Sequence, residues 1–205
     1  MTSLIRDPSV FRQGLFEGQH AFVTGGGTGI GWSIAAELRM LGANVTIASR
    51  SEEKLRAGAE SLRAVDGAGE VHWTVCNIRE EESIASAVES AHGAHGPITL
   101  LINNGGGQFP SPAMAIRRKG WDAVIETNLT GTFLMTQAFA RQVEESGAVV
   151  NIIAQMWNGF PMMAHTGAAR AGVENLTKTL AFELAPGGVR VNAVAPGVIL
   201  SSGVE

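Results

Sequence analysis

From residue 20 onward, short apolar runs alternate with longer stretches in which apolar residues recur every three to four positions. HAFVTG (20–25), NVTIASR (44–50), EVHWTVCN (70–77), ITLLINN (98–104), AVVNIIA (148–154) and RVNAVAPG (190–197) read as six strands. Between them the helical period predicts helices beginning near Gly29, Glu52, Glu80, Trp121 and His165, with glycines at Gly42 and over 67–69 suited to end the first two. Strands alternating with helices predict βαβ units, hence an α/β fold on a parallel sheet.

Length narrows this to one α/β domain, since 205 residues bury a sizeable core once but not comfortably twice. Residues 1–19 read as an N-terminal extension and 20–205 as the domain. Hydrophobic residues make up 45% and charged residues 17%, and a net charge of −4 with scattered basic residues offers no stripe for nucleic acid or an anionic membrane. Small-molecule chemistry is the class left. The N-terminus has no signal or transit pattern, and no apolar stretch approaches a membrane span. The single cysteine, Cys76, excludes an internal disulfide and reads as a buried strand residue. The five histidines show no ligand spacing, so no metal is expected.

The first strand runs into TGGGTGIG (24–31) and then into a helix. Gly25, Gly29 and Gly31 let the chain turn sharply and approach a diphosphate, while Thr28 and Ile30 lie between them at the opening of a helix whose free N–H groups face an anion. The spacing is not G-x-G-x-x-G, so the context carries the reading: strand before, helix after, and a second strand ending in Ser49 and Arg50. A basic residue there pairs with a 2′-phosphate where an acidic one selects the unphosphorylated dinucleotide, so Arg50 predicts NADPH (NADP+). Asn77 and Ile78, after the third strand, suit the edge and face of adenine, or simply a turn. Asn103 and Asn104 can knit strands, and Gly105 and Gly106 leave room for the adenosine ribose. The loop 105–119 leaves the carboxyl end of a strand, where open α/β sheets place ligands, and its Arg117 to Lys119 triplet suits a helix end.

Taken in order and spacing, TGGGTGIG, NNGGG, ETNLTG with Asn128, VNII (150–153), RAGVENLTK and VAPGV resemble the short-chain dehydrogenase/reductase family over residues 18–200. NNGGGQF, ETNLTGTF and HTGAARAGVENLTK are most similar to its peroxisomal trans-2-enoyl-CoA reductases and their bacterial relatives, with 2,4-dienoyl-CoA reductases next. The resemblance implies a Rossmann-like doubly wound parallel sheet, NADPH, and hydride delivery to the β-carbon of an α,β-unsaturated fatty acyl-CoA. It also implies that Pro196, Gly197 and Ile199 face the nicotinamide carboxamide, and that helices beginning near Trp121 and His165 form a homodimer or homotetramer contact. The family continues into a substrate-covering segment and a seventh strand, whereas this sequence ends at Glu205 with six strands visible.

The family's usual tetrad is asparagine, serine, tyrosine and lysine; here the corresponding positions hold Asn128, Ala154, Thr166 and Arg170, and the chain has no tyrosine. A ketone reductase needs an acid near the new alkoxide, and neither threonine nor an always-charged arginine supplies one. Enoyl reduction asks less, because charge develops on the thioester oxygen and donors aimed there suffice. Arg170 then clamps the ribose hydroxyls, Thr166 donates a hydrogen bond or merely opens its helix, and Asn128 supports the network. His165 reads as a loop or surface residue, and Trp157, Phe160, Met162 and Met163 as core packing in preference to an acyl pocket. A non-catalytic nucleotide-binding homologue is the alternative, and a 2,4-dienoyl-CoA or 3-oxoacyl (carbonyl) reductase is third. The expected compartment is the cytoplasm of a bacterium or the peroxisome of a eukaryote.

Overall fold

The structure, a computed structural model, describes residues 10–199. Six strands, β1 (His20–Thr24), β2 (Asn44–Ser49), β3 (Val71–Val75), β4 (Leu100–Asn103), β5 (Gly147–Ile152) and β6 (Val189–Val194), form one sheet in the order β3-β2-β1-β4-β5-β6. Every pairing is parallel. The order reverses between β1 and β4, the switch point at which a doubly wound sheet opens a crevice beyond its carboxyl ends.

The strands are apolar on both sides because both faces are covered. Ala21 and Val23 join Ala35, Ala36, Val45, Ile47, Leu55, Ala59 and Leu62 in one core layer. This layer packs under α1 (Gly29–Met40) and α2 (Glu52–Arg63). Phe22, between them in sequence, points the other way into a second layer with Ile84, Leu101, Met135, Phe139 and Val149. That layer lies under α3 (Glu81–His95), α5 (Gly131–Gln142) and α6 (Ala164–Leu184). The predicted helix starts at Gly29 and Glu52 coincide with those observed. The expected start at Trp121 moves back to Arg118, where α4 (Arg118–Ile125) begins with Arg118 bonded to Asp122 at 2.7 Å. Part of the expected N-terminal extension is docked: the Phe16 amide donates to Leu41 O at 2.9 Å and its ring packs against the first core layer. Residues 1–9 and 200–205 lie outside the described residues.

A buried polar chain ties the central strands to the second helical layer. Asn103 Nδ2 donates to Asn151 Oδ1 at 2.9 Å and to Thr136 Oγ1 at 3.0 Å, and Asn151 Nδ2 donates to Thr177 Oγ1 at 2.9 Å. Each member is satisfied, which makes the chain a fixed spacer between β4, β5, α5 and α6 instead of a cost. Cys76 sits just past β3, buried as expected, and burial pushes its thiol up to about 12, so it is an inert packing residue.

Candidate active site

Beyond the carboxyl end of β1 the chain turns through Gly25 to Thr28 into α1. A Cβ on Gly31 would sit 2.4 Å from Gly25 O and 2.5 Å from Asn104 Nδ2, so only glycine lets the helix approach the turn. The turn is held by its neighbours. Asn104 Nδ2 donates to Thr24 O at 3.0 Å and Gly25 O at 3.3 Å, and Thr24 Oγ1 accepts from the amides of Asn104 and Gly105 at 3.0 and 2.8 Å. Thr28 occupies the helix N-cap in extended conformation, exposed and with no side-chain cap, and the first turn, which includes Gly29 and Ile30, holds no acidic residue. The amides at this end are thus presented without a competing anion, which suits a diphosphate.

Arg50 follows β2 at the same edge, exposed and without a hydrogen bond or ion pair to any described residue, while Ser49 Oγ bonds Ser51 O at 3.4 Å. Asn77 is occupied by its own turn: its amide donates to Ser83 Oγ, its Nδ2 to Glu80, and its Oδ1 accepts from the Arg79 amide. Ile78 packs against the start of α5, its Cγ1 2.9 Å from where a Cβ on Gly131 would lie. Past β6, Pro196 O accepts from the Gln155 amide at 3.1 Å, and Gly197 and Ile199 continue exposed along the rim.

The second half of the site is built on α6 and the junction of α4 with α5. That junction is a π-helical turn, Glu126–Thr130, in which side chains take over main-chain partners. Asn128 Nδ2 donates to Val124 O at 2.8 Å, and Thr132 Oγ1 donates to Asn128 O at 2.9 Å. The same Nδ2 reaches Gly107 O at 2.7 Å, so Asn128, 1% exposed, fastens the loop leaving β4. Arg170 Nη1 donates to Ile152 O at 2.8 Å. Its Nη2 and Asn128 Oδ1 each lie 2.6 Å from where a Cβ on Gly106 would stand, so arginine, asparagine and the loop backbone converge on one point. Burial draws the Arg170 guanidinium down to about 10, which leaves it charged at neutral pH, and no carboxylate pairs with it among the described residues.

Thr166 is fully buried in the first turn of α6, and its hydroxyl does not cap the helix, whose N-cap is Met163. Its Oγ1 lies 3.2 Å from His165 Nδ1. His165 corrects the sequence reading: it is 0% exposed, in a helix, with the ring of Phe109 edge-on at a centroid distance of 4.5 Å. Trp157 and Met162 correct it in the other direction, 65% and 50% exposed where core packing was expected. The long turn before α6 lifts them off the sheet; Met162 even takes a positive φ of 63°. A groove of about 660 Å³ opens beside the same turn, lined by Ala113, Ile116, Arg118, Trp121, Asp122 and Ala164. No group of His, Cys, Asp or Glu is placed to hold a metal among the described residues, and none of their helices is long and apolar enough to cross a membrane.

The short chain dehydrogenase family model matches residues 19–205. The chain belongs to that family. Its members are oxidoreductases that bind nicotinamide cofactors, and its sheet order and switch point are those found here. The peroxisomal 2,4-dienoyl-CoA reductase of Danio rerio is 36% identical over 96% of this chain, which spans 65% of that relative's length. Among solved structures, a citronellol catabolism dehydrogenase of Pseudomonas aeruginosa PAO1 is 46% identical with a TM-score of 0.87, covering 92% of this chain and 78% of the other. An actinorhodin polyketide ketoreductase solved with NADPH is 33% identical with a TM-score of 0.85, covering 90% and 72%.

Arg170 and Asn128 thus meet at Gly106, Thr166 lies one helical turn before Arg170 on α6 with its contact to His165, and Ala154 lies beyond β5 without a hydroxyl. Sequence reasoning missed Thr24, and it gave Gly106 to the adenosine ribose without its place against Asn128 and Arg170. Thr24 shows only as a strand-end threonine before glycines, and the contacts of Gly106 are to residues 22 and 64 positions away in sequence, which no local pattern carries.

Proposed function

We propose that this short-chain dehydrogenase reduces the α,β double bond of a trans-2-enoyl-CoA, a fatty acyl thioester, with NADPH. The observation that carries the reading is the tyrosine-free centre: Thr166 and a charged, carboxylate-free Arg170 beside Asn128. The relatives named for dienoyl-CoA reduction support the thioester class.

The residues fit the cofactor. The open amides of α1 and the turn at Gly25, Thr28, Gly29, Ile30 and Gly31 would hold the diphosphate, and unpaired Arg50 the 2′-phosphate, with Ser49 beside it. Ile78, Gly105 and Asn104 border the adenosine side, Asn77 and Asn104 acting through the turns they fix. Arg170 would meet the nicotinamide ribose, and Pro196, Gly197 and Ile199 the carboxamide. When bound, NADPH supplies a hydride to the β-carbon of the substrate. Negative charge then gathers on the thioester oxygen, and the fixed positive potential of Arg170 lowers its energy. The α-carbon takes its proton from solvent. A ketone would need a proton at its oxygen, and the Thr166 hydroxyl has no accessible acidity to give it. We further propose a homodimer or homotetramer built on the helices α4, α5 and α6.

The test is loss of reduced-cofactor absorbance with crotonyl-CoA, trans-2-decenoyl-CoA, a 2,4-dienoyl-CoA and acetoacetyl-CoA. Turnover of the enoyl thioesters is expected, and none of acetoacetyl-CoA. Arg170→Ala is expected to lower kcat/KM about 100-fold, the scale of one lost transition-state donor. Turnover confined to acetoacetyl-CoA, or NADPH binding with no turnover of any thioester, overturns the reading.

A further inference from the structure

We infer that His165 is a substrate-binding residue of this site, whose Nε2–H donates a hydrogen bond to the carbonyl oxygen of the acyl thioester. The inference rests on the thioester reading above and adds a residue to it.

The ring's chemistry is fixed from one side. The Thr166 amide, which can only donate, points at His165 Nδ1 at 2.8 Å, and the Thr166 hydroxyl approaches the same atom at 3.2 Å. Nδ1 is therefore an acceptor, and the proton of the neutral imidazole resides on Nε2. The amide N–H on Nδ1 also polarises the ring and strengthens Nε2–H as a donor.

That donor has no acceptor among the described residues, and Nε2 is buried. Buried polar groups are nearly always paired, so an orphan of this kind calls for an acceptor from outside the chain. Its surroundings say which one. His165 is one position before Thr166 and lies within five positions of Arg170, on the helix whose Arg170 reaches Ile152 O and the loop leaving β4. Phe109, in the loop leaving the carboxyl end of β4, packs on the ring at a centroid distance of 4.5 Å and is itself 39% exposed, so the imidazole is covered by a side chain that reaches the surface. Phe109 also rests on Gly120, at the start of the helix whose Trp121 lines the groove shared with Ala164. An acyl chain laid in that groove carries its carbonyl past the edge of Phe109.

A neutral imidazole gives a hydrogen bond here and keeps its proton, so the electron and proton balance of the reduction is unchanged. His165 supplies the directed donor at the substrate oxygen, and Arg170 the charge.

Wild type is compared with His165→Asn and His165→Gln. Asparagine keeps an acceptor for the Thr166 amide but has no atom at the Nε2 position, whereas glutamine places an amide N–H there. Calorimetry with NADP+ bound measures affinity for butanoyl-CoA and for S-butyl-CoA, the thioether that lacks the carbonyl oxygen, alongside crotonyl-CoA turnover and melting temperature. Wild type is expected to prefer butanoyl-CoA about tenfold, the scale of one buried hydrogen bond. In His165→Asn the preference disappears and kcat falls about 100-fold at similar melting temperature, and His165→Gln recovers most of both. A carbonyl preference that survives in His165→Asn overturns the inference. So does equal loss of turnover in both variants with the preference intact, or failure of His165→Gln to recover where His165→Asn melts early. If wild type binds NADP+ but neither acyl-CoA, the thioester reading itself fails and the inference falls with it.

Discussion

At the scale of single residues, Arg50 and Gly31 show how differently side chains enter this site. Arg50 contributes a charge that nothing in the described chain claims, so its effect is read only through a ligand. Arg50→Asp is expected to cost about 1.5–3 kcal/mol of binding to a 2′-phosphate, the range for a charged hydrogen bond, and so to shift the NADPH to NADH preference by about 10- to 100-fold. Steady-state kinetics with both cofactors checks this; unchanged selectivity would place the phosphate elsewhere. Gly31 contributes the lack of a side chain, and the sequence shows that as plainly as a residue can, since a glycine opening a helix after a strand has few other reasons to be there. Thr166 and Arg170 are also visible as residues. Their partners are not: nothing in HTGAARAGV says that Arg170 reaches Ile152 O, or that His165 turns inward.

Elements place those residues against one another. The π-helical turn between α4 and α5 exists because Asn128 bonds the carbonyl four residues back and the backbone of the β4 loop at once. Asn128→Ala would leave Gly107 O and its amide without their partner and free the loop beneath Arg170. A loss of about 2 kcal/mol is expected, lowering Tm by about 4–8 °C for a domain of this size. A melting temperature within a degree of wild type would show that the loop is held by other contacts. The strands and helix starts could be read from apolar periodicity because each element buries one continuous face. The turn before α6 could not: Trp157 and Met162 are as apolar as core residues, and only the path of the chain decides that they face outward.

Across the whole molecule the two edges of the sheet do different work. The carboxyl edge carries the glycine turn into α1 and Arg170. The amino edge gathers histidines from separate elements: His20 on β1, His72 on β3 and His95 at the end of α3, with His20 and His95 edge-to-face at 5.2 Å. Burial, then the positive neighbours His95, His72 and His92, draws His20 down to about 4, against an opposing bond to Gly96 O. His72 and His95 are lowered in the same direction, chiefly by burial. The folded state therefore binds fewer protons than the unfolded one between pH 6.5 and about 4, and stability is full above pH 6.5 and lost as pH falls through that window. His20 alone accounts for about 3 kcal/mol of that loss by linkage. Urea unfolding between pH 4 and 8 checks it, and a flat profile there would remove the histidine cluster as the cause.

The sequence by itself determined the α/β class, the six strands, the glycine turn after β1 and the absence of any phenol, because these depend on local periodicity, on glycine at a turn and on composition. The tertiary structure alone decided that His165 is buried with an unanswered donor, and that Asn128 and Arg170 meet across Gly106. It also decided that three histidines share one edge. Those facts depend on which distant segments become neighbours, and that is set by how the strands are ordered in the sheet, which no stretch of the chain contains.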